Sequence, residues 1–174
     1  MKISRNEIFE SFAVLTDYPR SAEEMRTCVA RLERAGLLEN CLEMFSADTD
    51  GLREDYTRLF DFSKDTAPYA AFHIFSDERQ RASFMSELSG RYRSEKFVHK
   101  TGELPDYIPS VLSFISVKGL NGCADLLKAV SEASGHIAAS PLLEGEGYGL
   151  VYGSLKKFTE TCIQGGANEL EYGF

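Results

Sequence analysis

The feature that most limits the fold is the spacing of the apolar side chains, which recur every three to four residues and nowhere sustain alternation. That is the period of one helix face, whereas a half-buried strand needs a period of two. Ile8, Phe12 and Leu15 share a face behind an N-cap position at Ser4, and Pro19 closes the segment. Ser21-Ala22-Glu23-Glu24 reads as a capping box ahead of Met25, Val29 and Leu32, with Gly36 as the stop. Leu38, Cys41, Leu42 and Phe45 predict a short third helix. The Asp48-Thr49-Asp50-Gly51 turn opens a fourth, with Leu52, Tyr56, Leu59 and Phe60 on its apolar face.

Asp77 heads a helix carrying Phe84, Leu88 and Tyr92. The next starts near Leu104 and buries Ile108, Val111, Leu112 and Ile115. Beyond Gly119 and Asn121 another carries Ala124, Leu127, Val130 and Ala133. The last runs from about Tyr148 to Ile163, with Val151, Leu155, Phe158 and Cys162 inward. Residues 63–76 read as a loop whose apolar cluster, Tyr69 to Phe75, is either a helical turn or a packed extended segment. Residues 134–149 read as a long loop from their Gly, Ser and Pro density. The expectation is an all-α fold, a single domain over residues 1–174 built as a bundle of about seven or eight helices. Softer divisions fall near 63–76 or 95–103, and residues 165–174 form an acidic, mobile tail.

The charge and the cysteines remove several function classes. The chain has 27 acidic and 19 basic side chains, a net charge of −8. Such a surface repels phosphate backbones, which argues against nucleic acid, and it suits a positively charged partner. Cys28, Cys41, Cys123 and Cys162 form no C-x-x-C pair, so they read as buried free thiols rather than ligands or bridges. The polar start, with Glu7 and Glu10, is not a signal peptide, and no apolar run reaches the roughly 20 residues that span a bilayer. The expected location is the cytoplasm, without membrane insertion.

The sequence lacks the common catalytic and cofactor patterns. A di-iron bundle needs Glu-x-x-His pairs, but His73, His99 and His136 have Ala70, Lys96 and Ala133 at i−3. Gly145-Glu146-Gly147-Tyr148-Gly149 is acidic and lacks the Lys-Ser/Thr of a phosphate-binding loop. No Ser or Cys sits in a nucleophile motif. The reading is a binding protein with no catalytic residues, metal or cofactor of its own.

Two segments stand out. In Glu54-Asp55-Tyr56-Thr57-Arg58-Leu59-Phe60, an aromatic–aliphatic face made by Tyr56, Leu59 and Phe60 lies beside a charged face that also includes Asp61. In Glu103-Leu104-Pro105-Asp106-Tyr107-Ile108-Pro109, two prolines and two carboxylates crowd a helix start. Pro and Asp are favourable there, so a good N-terminus explains much of the second segment, though not Tyr107 or the added charge of Glu103. An ordinary amphipathic helix also accounts for the first. Tyr56 and Phe60 stay open to two readings, core or contact.

Together the segments resemble the TorD/DmsD/NarJ family of redox-enzyme maturation chaperones. The parts are Tyr56-x-x-Leu59-Phe60, then Ala67-Pro68-Tyr69 as a Pro-Tyr loop, then Glu103-Leu104-Pro105-Asp106-Tyr107, then Leu112-Ser113-Phe114. The likeness covers residues 52–115, and Tyr107 together with the short chain points to the NarJ-like, nitrate reductase delta-subunit side. It implies a cytoplasmic chaperone that binds the catalytic subunit of a molybdopterin oxidoreductase through a twin-arginine leader or its remnant. The subunit is held for cofactor insertion. Glu54, Asp55, Tyr56, Leu59, Phe60, Pro68, Tyr69, Glu103, Leu104, Pro105, Asp106 and Tyr107 are then the expected peptide-binding residues, meeting in space to offer carboxylates beside an apolar groove. The expected assembly is a monomer or a helix-exchanged dimer, which a long loop at 134–149 would permit. The competing reading is a helical adaptor or regulatory subunit that binds a folded protein.

Overall fold

The structure is a computed structural model and describes residues 3–165. Among these residues are eight α-helices: α1 Arg5–Thr16, α2 Ala22–Arg34, α3 Thr49–Tyr56, α4 Ala70–Ile74, α5 Glu78–Ser94, α6 Ile108–Lys118, α7 Ala124–Ala138 and α8 Gly147–Gly165. The all-α expectation holds. The residues expected to form the tail lie almost entirely outside the described residues.

Helix α1 is the central element, packed against α2, α6 and α8. Ser4 fixes its start through a full capping box with Glu7: Glu7 N–H donates to Ser4 Oγ at 3.3 Å, and Ser4 N–H donates to Glu7 Oε2 at 2.8 Å. Ile8, Phe9, Phe12 and Leu15 are buried on both flanks of α1. Phe158 of α8 stacks edge-on against Phe9 with ring centroids 4.9 Å apart. Burying such side chains contributes about 1.5–3 kcal/mol each, so this seam supplies much of the driving force. The hydrophobic cluster runs without interruption from Ile3 to Cys162 and draws on every long helix. All four cysteines are buried free thiols.

Several local expectations needed correction. At Ser21 only half of the capping box forms, with Glu24 N–H on Ser21 Oγ at 3.4 Å. The third helix is a single 3-10 turn, Leu42–Phe45, because little chain separates Gly36 from the Asp48 cap. The apolar cluster at 69–75 resolves as the short helix α4. The helix expected from Leu104 begins four residues later, at Ile108, because residues 104–107 form a turn, closed by Tyr107 N–H on the Leu104 carbonyl at 3.1 Å. The expected long loop at 134–149 is largely helical: α7 runs on to Ala138 and α8 starts at Gly147, with a 3-10 turn, Pro141–Leu143, between them. Gly and Ser there permit close packing rather than disorder.

Close packing is why α8 begins with glycines. A Cβ at Gly149 would sit 2.6 Å from the Leu143 carbonyl oxygen, and one at Gly147 2.7 Å from the Phe45 ring. A Cβ at Gly153 meets nothing within 4 Å. Alanine in a helix interior ordinarily gains about 0.5–1 kcal/mol over glycine. Gly153→Ala is therefore expected to raise the melting temperature, whereas Gly149→Ala is expected to lower it, costing about 1–3 kcal/mol through the backbone clash. Thermal unfolding of the two variants checks the opposite signs.

Candidate functional site

Helix α3 is capped by Asp48, whose Oδ1 accepts Gly51 N–H at 2.9 Å. Past Tyr56 the chain widens into a π-helical turn, Thr57–Asp61. Tyr56 and Phe60, four residues apart, stay on one helix face through this turn, with ring centroids 4.6 Å apart, and Leu59 and Phe60 are buried. Thr66 Oγ1–H donates to the Leu59 carbonyl, anchoring the end of the turn. Phe62 follows and is left 84% exposed.

The second segment is tied to the loop before α4. Tyr69 and Tyr107 form an isolated antiparallel bridge. Ile108 N–H donates to the Pro68 carbonyl at 2.9 Å and Ala70 N–H to the Asp106 carbonyl at 3.0 Å. Asp106 Oδ2 accepts Ala71 N–H at 2.9 Å, so its carboxylate caps α4 from a distant segment. This corrects the reading of Asp106 as a contact residue at the start of α6: it is 2% exposed and faces another helix. Burial pushes its carboxyl above the ordinary range, against the pull of the Ala71 amide and Arg81. Its Oδ1 is buried without a hydrogen bond. Tyr92 O–H also holds the Pro105 carbonyl, at 2.9 Å.

The two segments meet at their tyrosines. Tyr107 O–H donates to Asp17 Oδ1 at 2.6 Å, and Tyr56 O–H lies 3.3 Å from both the Thr16 carbonyl and the Tyr107 hydroxyl oxygen, sharing its one proton between these acceptors. Asp17 ends α1 and also takes Lys100 Nζ at 2.5 Å and Tyr18 N–H at 2.8 Å. Burial, and for Tyr107 the neighbouring Asp17 charge, push both phenols well above their ordinary range, so both remain protonated donors.

Above this junction is a groove of about 770 Å³. Its floor includes Phe60 and Tyr107, and its walls include Tyr18, Phe62, Tyr69 and Glu103. Tyr69 O–H donates to Glu103 Oε2 at 2.5 Å, and Asp61 sits at the rim. Of the residues expected from sequence, Tyr56, Phe60, Pro68, Tyr69, Glu103 and Tyr107 line it. Leu59 and Asp106 are buried in the fold. Pro105 lies half-buried outside the groove, and Leu104 is 54% exposed. Asp55 pairs with Arg58 at 3.0 Å, and exposed Glu54 lies on the adjoining face of α3. Tyr18, Phe62, Asp17 and Lys100 were missed. A Tyr before Pro19 and a Phe two positions past the motif carry no periodic signal of their own. Among the described residues no group of three His, Cys, Asp or Glu side chains converges as a metal site.

The model of the family described as nitrate reductase delta subunit matches residues 20–140. A Bacillus subtilis protein described as a nitrate reductase molybdenum cofactor assembly chaperone, NarJ, is 26% identical over 119 residues, covering 63% of this chain. The match spans 65% of that relative's length. A crystal structure of an Archaeoglobus fulgidus protein described as a redox enzyme maturation protein has the same fold, with a TM-score of 0.69 at 20% identity. That likeness covers 92% of this chain and 96% of the other.

Two outcomes follow from the buried polar contacts. Tyr107→Phe removes a donor to a buried carboxylate and is expected to cost about 1.5–3 kcal/mol in chemical denaturation. Asp106 titrates above 3.8 in the folded chain, so its ionisation there opposes folding increasingly as pH rises through that raised value. The stability of Asp106→Asn relative to the parent is therefore expected to shift in favour of Asn between about pH 4 and about pH 7. Denaturant melts at the two pH values check the sign.

Proposed function

We propose, from the premise that the chain belongs to the nitrate reductase delta subunit family, that it is an assembly chaperone for the catalytic subunit of a molybdopterin oxidoreductase. It works as a holdase rather than a catalyst. Its substrate is a segment of the client, the N-terminal twin-arginine leader or a remnant of one, held in the cytoplasm while the cofactor is inserted. No described helix is long and apolar enough to cross a membrane.

The observation that carries this reading is the groove at the junction of the two segments. Such a leader pairs guanidinium groups with an apolar stretch, so its receptor must offer apolar surface with acceptors at the edge. The groove has both. Phe62 and Tyr18 leave 84% and 40% of their surfaces open, and Asp61 and Glu103 stand at the rim. An exposed Phe beside a large groove is unused apolar surface in the free chain, and covering it on binding releases water. The floor is pre-organised, because Tyr56 and Tyr107 are hydrogen-bonded in place before any ligand arrives.

The test is calorimetric titration of the client's leader peptide into the parent protein and into Phe62→Ala and Glu103→Gln. Phe62 is exposed and Glu103 half-buried, so helix content should stay unchanged. Each variant is expected to lose about tenfold in affinity, roughly 1.4 kcal/mol. Unchanged affinity in both folded variants would mean that the peptide binds elsewhere, or that the partner is a folded surface as for an adaptor.

A further inference from the structure

We propose, resting on the reading that the groove holds a client peptide, that His73 and His136 form a proton-operated clasp between α4 and α7. Its opening in mild acid frees one wall of the groove and releases the peptide. The two rings face each other across the α4–α7 contact, 11° from parallel with centroids 6.3 Å apart. His73 Nε2–H donates to the Ala67 carbonyl at 2.7 Å, and the Phe72 ring abuts the His73 ring edge-on at 5.5 Å. Ala67, Pro68 and Tyr69 line the groove. One imidazole thus ties the wall to α4, and its stacking partner ties α4 to the bundle.

Helix α4 has few other holds. It spans five residues, too short to stand as a helix alone, and only Ala70 and Ala71 of it are buried. Asp106 accepts their two amides, one on its carboxylate and one on its carbonyl. The histidine pair is the further hold, and it depends on charge. Neutral rings stack, whereas two imidazoliums at this separation repel. Burial holds the His73 ring below the ordinary imidazole range; the Ala67 carbonyl opposes this, His136 adds to it and Asp65 opposes it. A folded value below the unfolded one means that the contribution of the clasp is complete above about pH 6.5 and is lost as pH falls through the lowered value. The other charged groups around α4 add no net charge. Asp65 and Lys64 are exposed on the 3-10 turn Lys64–Thr66, and Glu132 is exposed one turn before His136 on α7. Arg81 of α5 donates to the Phe75 carbonyl at 3.1 Å and lies 5.3 Å over the Phe72 ring. Asp106 is buried, and its protonation weakens the cap on α4, which acts in the same direction.

The experiment compares the full-length parent with His136→Gln at about pH 7.5 and about pH 5.5, either side of the imidazole range. His136 is exposed and Gln is a good helix former, so the variant should keep its fold. Amide exchange of residues 67–75, corrected for the intrinsic effect of pH, is read first and without peptide. It is expected to quicken about tenfold at the lower pH in the parent and about twofold or less in the variant. Equal quickening in both, or none in the parent, overturns the clasp. Calorimetric titration follows, with an acetylated, histidine-free synthetic peptide that has an Arg-Arg pair ahead of an apolar stretch and keeps its charge over this range. The parent is expected to lose about tenfold in affinity between the two pH values and His136→Gln about threefold or less. Quickened exchange with pH-independent affinity would overturn the release step. Absence of binding at both pH values would remove the groove reading, while the exchange result still decides the clasp.

Discussion

A buried carboxylate sets the arrangement around the groove. Asp17 ends α1 at 8% exposure, and a charge so placed is costly unless donors surround it. The donors come from three directions: Tyr107 O–H, Lys100 Nζ and the Tyr18 amide, with the Arg20 guanidinium further out at 3.6 Å. Tyr107 passes the constraint on to Tyr56. The end of α1, the end of α3, the connector before α6 and the turn that opens α6 are thereby fixed relative to one another. No apolar contact would set these positions so narrowly, because burial is non-directional whereas these bonds have length and direction.

Asp106 does for the second wall what Asp17 does for the floor. By capping α4 it holds the Pro68-Tyr69 loop against the 103–107 turn, and the Tyr69–Tyr107 bridge completes the joint. Most of the polar residues in the two segments are consumed in building the groove. The surfaces left for a ligand are then the ones that building does not use: Phe62, Tyr18, Asp61, Glu54, and the outer side of Glu103. This division explains why a motif can look like a binding site in sequence while most of its residues are internal supports.

The helices were legible because each buries one face on a single core, and the apolar period reports that directly: Phe12, Val29, Leu112 and Phe158 fall where the spacing puts them. Where elements begin was less legible. Residues 104–107 have the composition of a first helical turn, but the partners that decide their conformation, Pro68 and Ala70, lie far away in the chain. The same holds for Asp106, whose cap is tertiary. The meeting of the two segments was legible as a pairing of acid with aromatic, and Tyr56–Tyr107 realises it, though through hydroxyls and a third residue, Asp17, that no motif marks. Phe62 escaped notice because it lies six residues past Tyr56, off the apolar face, and an exposed aromatic leaves no trace in a three-to-four residue period.

The central claim is that the groove between the two segments receives the client peptide. Amide hydrogen exchange, followed with and without the leader peptide of the client subunit, tests it without altering the protein. Slower exchange is expected in residues 57–69 and 103–107, with α7 and the C-terminal half of α8 unchanged. Protection confined to α7 and α8, with none in those two segments, would contradict the account.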